Sequence, residues 1–150
     1  AKTVPIAGGN YGSGTHILAS ATVVGSRTKS ATLMVTGLGV VAYARGGYVP
    51  GGNDHDTAAV VSGTLEILNT SGVVVLSIPF SSSGSGSGNL GIKRVPLSVA
   101  GGFAAGTEAA TLSVRINISA SSGGGGAEAY VIVPAQSVVF MLVPNGSQFY

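Results

Sequence analysis

The residues best equipped for chemistry stand together at Asn53, Asp54, His55 and Asp56. Carboxylate and amide oxygens at alternate positions can converge on a hard cation, as they do in part of a calcium loop. Asp54, His55 and Asp56 are therefore the candidate metal ligands. The glycine after the third ligand position and the distal glutamate of such a loop are both missing, so the stretch reads first as a solvated turn.

His16 and His55 with five acids are the whole stock for acid–base work. Glu66, Glu108 and Glu128 are far apart in the chain, whereas glycoside hydrolysis needs two carboxylates held across one bond. Gly84-Ser85-Gly86-Ser87-Gly88 has the letters of a nucleophile elbow but lies in a Ser/Gly run with no helix pattern after it. The glycine runs at 84–88 and 121–126 lack a Gly-Lys-Ser/Thr ending, so they read as loops and not as phosphate cradles. The absence of cysteine removes disulfides, thiolate zinc sites and thiol catalysis, and leans towards assembly in a reducing cytosol. Asn69, Asn117 and Asn145 begin glycosylation tripeptides, which matter only in a secreted eukaryotic protein. The expectation is a chain that is not an enzyme, with no catalytic residue and no cofactor.

Composition points the same way. Charged residues are only 8 %, against a usual ~25 %, and 25 of the 150 residues are glycine. Lys2, Arg27, Lys29, Arg45, Lys93, Arg94 and Arg115 are scattered, with no aromatic-interleaved basic stripe, so nucleic acid is not an expected partner. No apolar run reaches the roughly 20 residues of a membrane-spanning helix. A surface so poor in charge is expected either to be covered by partners or to be paved with Ser, Thr, Gly and Ala. A small-molecule ligand is not expected.

Strands carry these groups. Ala58–Phe80 reads as a hairpin turning at 69–72. Leu65 and Ile67 share one face of its first strand, with Thr64 and Glu66 opposite. Val74, Leu76, Ile78 and Phe80 share a face of the second. Before it, 16–24 alternates with Ile17, Ala19, Ala21 and Val23 in phase. The segment 31–45 places Leu33 and Val35 in phase with Val41 and Tyr43, with Gly37 and Gly39 marking a bend or bulge. After it, Ser81–Asn89 reads as a flexible loop, and 90–99 changes phase at Lys93 and Arg94, which predicts a bulge. Leu112, Val114, Ile116 and Ile118 form the cleanest alternation, and the first three are expected to face Leu65, Ile67, Leu76 and Ile78 of the hairpin across the core. Two strands close the chain around Pro134. The prediction is an all-β, antiparallel β-sandwich of jelly-roll or Greek-key type with about eight strands. A closed barrel is the alternative. One domain over 1–150 is expected, with an extended N-terminal arm (1–15) and a short C-terminal tail (144–150).

A small Ala/Gly/Ser/Val-rich all-β chain with no cysteine, few charges, a glycine-rich start and stretches such as Thr64–Phe80 and Thr111–Ser119 resembles the jelly-roll decoration (cement) proteins of tailed-phage heads. The resemblance implies a structural virion protein made in the host cytoplasm. It would sit on the outside of the capsid and bridge major capsid subunits, itself a dimer or trimer. Lys2, Val4, Ile6, Tyr11, Tyr48, Phe149 and Tyr150 are the expected partner contacts, since low-complexity termini need a partner to offset their ordering entropy. The other function class is a carbohydrate-binding or adhesin-like module. Its best support is Tyr43 and Tyr48 beside the 46–57 loop, although the tyrosines do not gather on one strand.

Overall fold

The computed structural model describes every residue except 1, 25–30, 52–54, 87–88, 104–108 and 145–150. Eleven strands run among the described residues: β1 (Lys2–Ile6), β2 (Gly9–Tyr11), β3 (Gly14–Val24), β4 (Ala31–Arg45), β5 (Gly47–Val49), β6 (His55–Leu68), β7 (Val74–Ser85), β8 (Leu90–Phe103), β9 (Ala109–Ser122), β10 (Glu128–Val133) and β11 (Gln136–Pro144). The count exceeds the predicted eight because long strands are broken. Pro134, which has no N–H to give to a ladder, separates β10 from β11. Ala7 and Gly8 separate β1 from β2, and β5 is a short added piece.

Every pairing is antiparallel, and the pairings are nested. β6 pairs with β7, β4 with β8, and β3 with β9; β1 and β2 pair with β11 and β10. The chain is one long hairpin paired from its tip outwards. Successive pairs fall in opposite layers: β4, β8, β10, β11, β1 and β2 in a first sheet, and β3, β9, β6, β7 and β5 in a second. That winding is a jelly roll. No ladder joins the two sheets among the described residues, so the barrel alternative is not realised.

The tip is the hairpin that alternation marks at Ala58–Phe80. Asn69 holds the turn: its Oδ1 accepts from the backbone N–H of Ser71 (2.9 Å) and Val73 (3.0 Å), and its carbonyl accepts from Gly72 (2.9 Å). Leu65 and Ile67 are buried as expected. Val74 leaves the predicted face, because a register shift between Ile67 and Leu68 sets it opposite Leu68. The expected partners across the core are also corrected. Ile116 and Val114 lie beside Leu65 and Ile67 in the same sheet. The facing wall of the core is Val35, Val40, Ala42, Val131, Val138 and Phe140 from the first sheet.

Bulges decide which residues reach that core. In β4 the register against β8 shifts between Val35 and Leu38, where Gly37 takes φ +88. A one-residue insertion turns the following side chains to the other face. Val35 is buried, and past the bulge Leu38, Val40, Ala42 and Ala44 are the buried residues. Val41 and Tyr43, expected in phase with Val35, point outwards. In β3 a shift between Ile17 and Ala19 acts likewise: Ala21 is buried, whereas Ile17 is 57 % exposed.

Three further expectations change. The N-terminal arm is built into the sandwich: β1 and β2 pair with the chain's own β11 and β10. The loop expected at Ser81–Asn89 is strand as far as Ser85. Small residues serve close approach there, since a side chain at Gly84 would meet the carbonyls of Asn89 and Ala44 within 3 Å. The bulge expected at Lys93 and Arg94 is absent. β8 runs in unbroken register from Leu90 to Leu97, and Leu90 and Ile92 simply face outwards while Val95 faces the core.

Candidate functional site

The polar cluster at 53–56 is only partly within the described residues; Asn53 and Asp54 lie outside them. His55 and Asp56 begin β6, both exposed, in register with Val49 and Tyr48 of β5. Among the described residues no group of three or more His, Cys, Asp or Glu side chains could hold a metal ion. Thr57, next in the chain, is buried and donates to the Gly124 carbonyl at 2.6 Å, while the Tyr48 N–H donates to the Gly125 carbonyl at 3.0 Å. The Gly-rich turn after β9 is thus locked against β5.

The residues expected to meet a partner are dispersed. Ile6 is 3 % exposed and belongs to the core, so it cannot serve an interface without unfolding the edge; Val4 and Tyr11 pack partly against that core. Tyr11 also meets the His16 ring at 5.0 Å between centroids. Lys2 is exposed at the edge of the first sheet, and Tyr48 is half exposed. Phe149 and Tyr150 lie outside the described residues. Tyr43 and Tyr48, grouped by sequence proximity, belong to different sheets.

What the fold does bring together is an apolar outer face on the first sheet. Alternation about the buried Val40, Ala42, Ala44, Val131, Val133, Val138 and Phe140 sends the intervening residues to solvent. Tyr43 and Tyr130 are direct cross-strand partners whose rings stack at 4.7 Å and 25°. Ile92, 52 % exposed, stands opposite Tyr43 on the other side. Val41 and Ile132 form the next row, and Met34 pairs with Met141 further along. None of these belongs to the core cluster or packs against it. Arg45, Arg94 and Glu128 border the stripe, all exposed. The Tyr130 phenol is held above its usual value, first by partial burial, then by the Tyr43 phenol and the Glu128 carboxylate beside it.

The outer face of the second sheet is richer in polar groups. Thr15, Ser20, Ser62, Thr64, Ser113, Asn117 and Ser119 stand on it, with Ile17 and Val60 as exposed apolar side chains among them. Thr15 Oγ1 donates to Asn117 Oδ1 at 3.1 Å, and the Ser20 and Ser113 hydroxyls bond at 2.9 Å. At its centre Arg115 Nε donates to Glu66 Oε1 at 3.0 Å, with Glu66 only 8 % exposed. Glu66 is legible in the sequence as an outward residue; its pairing with Arg115 is not, because 49 residues separate the two.

No known family model matches the chain, and no curated protein matches it either. The molecule is therefore characterised by its fold class, a jelly-roll β-sandwich, and by the contrast between its two outer faces. Sequence reasoning misses the apolar face because alternation alone does not say which phase of a strand is buried. The signal is the change of phase between Ile92 and Val95, which marks a strand apolar on both sides.

Proposed function

We propose that this chain is a structural virion protein, a capsid decoration or cement protein that binds the outside of a shell and stabilises it by bridging major capsid subunits, without catalysis. The observation that carries the reading is the apolar, aromatic outer face of the first sheet on a chain with so few charges. Such a face is costly in water and is covered in a protein that works as part of an assembly. Jelly rolls serve in viral shells and in lectins, an analogy of fold that fits a capsid protein and a sugar-binding module alike. On a shell, modest contacts repeated many times give avidity, and binding to the native lattice raises its resistance to unfolding. Self-association into a dimer or trimer adds to that avidity.

Co-sedimentation tests this. The purified chain is mixed with phage heads stripped of their decoration protein. It is expected to pellet with them and to raise their thermal disruption temperature. A chain that stays in the supernatant and leaves disruption unchanged overturns the reading. The stacked Tyr43–Tyr130 pair gives the carbohydrate-binding alternative its one specific support, since a half-exposed aromatic pair can serve as a platform for a sugar ring. A glycan array with a saturable hit abolished by Tyr43→Ala would favour that second reading.

A further inference from the structure

Beside the tyrosine pair the outer face of the first sheet is indented. Gly39 lies between the buried Leu38 and Val40 and therefore points outwards, leaving a gap where a side chain would stand. A side chain there would meet only the Val95 carbonyl, at 3.9 Å. The resulting notch has a volume of about 450 Å³, walled by Val41, Pro96 and Pro134, with Arg94 and Gln136 as its polar groups. Gln136 is fully engaged. Its Oε1 accepts from the Gly39 N–H at 2.8 Å, and its Nε2 donates to the carbonyls of Gly39 (2.8 Å) and Pro134 (2.9 Å). The amide stands in for the ladder partner that Pro134 cannot supply, and it makes the floor of the notch rigid. Arg94 is exposed and has no ion-pair partner among the described residues.

We infer that this notch is the anchor pocket of a protein-docking face. It takes one apolar side chain from an acidic segment of a partner protein, with a neighbouring carboxylate on Arg94, and the segment continues over Ile92, Tyr43 and Tyr130. The inference rests on the reading that the chain binds a protein shell, and names the face that does so. Charge selects the occupant. Among the described residues the face carries Arg45 and Arg94 against Glu128 alone, so a second copy docked face to face would set a cationic excess against itself, whereas an acidic segment complements it. Among the described residues Arg94 and Gln136 are the only hydrogen-bonding side chains lining the notch, and Gln136 is occupied, which is too few to orient a polar small molecule. Arginine at a pocket, with tyrosines on the same sheet face, matches the residue types that anchor protein interfaces.

The test uses the full chain, labelled for amide NMR, and two blocked peptides, acetyl-Glu-Leu-Phe-Glu-amide and acetyl-Lys-Leu-Phe-Lys-amide. The acidic peptide is expected to shift the amides of Gly39, Val41, Ile92 and Arg94, and to bind at least about tenfold tighter than the basic one, which is about 1.4 kcal/mol. Arg94→Glu is expected to reverse that preference, and Gly39→Leu, which fills the notch, to abolish both. A melting curve reports whether each variant is folded, and Arg94→Glu decides alone should Gly39→Leu fail to fold. Equal binding of the two peptides, an unchanged preference in Arg94→Glu, or shifts confined to β3 and β9 overturn the inference. Stripped phage heads separate the two levels. Head binding that survives Arg94→Glu undiminished overturns the notch and leaves the shell reading standing. A charge-reversible peptide preference without any head binding supports the notch and overturns the shell reading.

Discussion

The two outer faces of this sandwich are built on the same plan and finished in opposite ways. On the second sheet, hydroxyls and an amide bond one another across strands, and the Glu66–Arg115 pair closes the centre. On the first sheet, tyrosines, methionines and branched side chains face solvent, and the exposed cation Arg94 is left without an acid to meet it among the described residues. The second face exposes Ile17 and Val60 too, but its centre is closed by polar groups that satisfy each other. A face of exposed apolar area gains free energy only when something covers it. The difference marks the outer face of the first sheet as the one on which the proposed docking rests.

The largest expected effect comes from disturbing the self-sufficient sheet. Gly63 of β6 lies against β9 so closely that a side chain would land on the Asn117 carbonyl. Gly63→Val is expected to cost about 3 kcal/mol or more in urea denaturation; a variant as stable as the parent would mean that the second sheet has slack the contrast denies. Next is the join in the first sheet. Gln136→Ala removes two bonds from the Gly39 backbone and should cost about 2 kcal/mol. Hydrogen exchange at the Gly39 amide is the check, and protection equal to the parent's would show that the side chain is dispensable.

A smaller loss, about 1–2 kcal/mol, is expected for Arg115→Met, which leaves the Glu66 carboxylate mostly covered and unpaired. Arg115 keeps some solvent, which holds the cost below that of a fully buried pair. The double variant with Glu66→Leu should recover most of the loss in a mutant cycle; strict additivity would show that the two side chains do not act together. On the apolar face, Ile92→Ser should change stability by no more than about 0.5 kcal/mol, because its side chain does not pack on the core, and Tyr43→Ser by about 1 kcal/mol, the loss of its stacking on Tyr130. Dye binding to exposed apolar surface should fall in both. A loss like that of a core residue would make the face structural and dissolve the contrast.

The smallest effect is a pH dependence on that same face. Because the folded Tyr130 phenol titrates above its usual value, the unfolded chain releases this proton first as the pH rises. The stability of the neutral phenol is fully present below about pH 10 and is lost as the pH climbs through the folded value. Denaturant titrations at pH 8 and in the alkaline range should show a decline in the parent that is reduced in Tyr130→Phe. Equal slopes would mean that the phenol is as solvated as in the unfolded chain.

The strands are legible in the sequence because β-branched residues alternate with small polar ones, and the tip of the nested hairpin because Asn69 and Gly72 offer turn chemistry. The candidate face is not. A single alternation running through β4 would put Tyr43 in phase with Val35, and the bulge at Gly37 reverses it. Tyr130 becomes its partner only when β10 pairs with β4, and the notch exists only because the missing side chain of Gly39 meets the break at Pro134. The segment from Ser81 to Ser85 reads as a linker because small residues signal flexibility and close approach alike, and only packing distinguishes them.

Antiparallel strands around an apolar interior follow from the residue order alone, since period-two alternation and the lack of a helical period are local properties. So does the scarcity of titratable groups. The nesting of the strands, the pairing of Glu66 with Arg115, and the choice of which apolar residues lie inside emerge only once the chain is folded. Side-chain facing depends on register, and a single inserted residue reverses it for the rest of a strand.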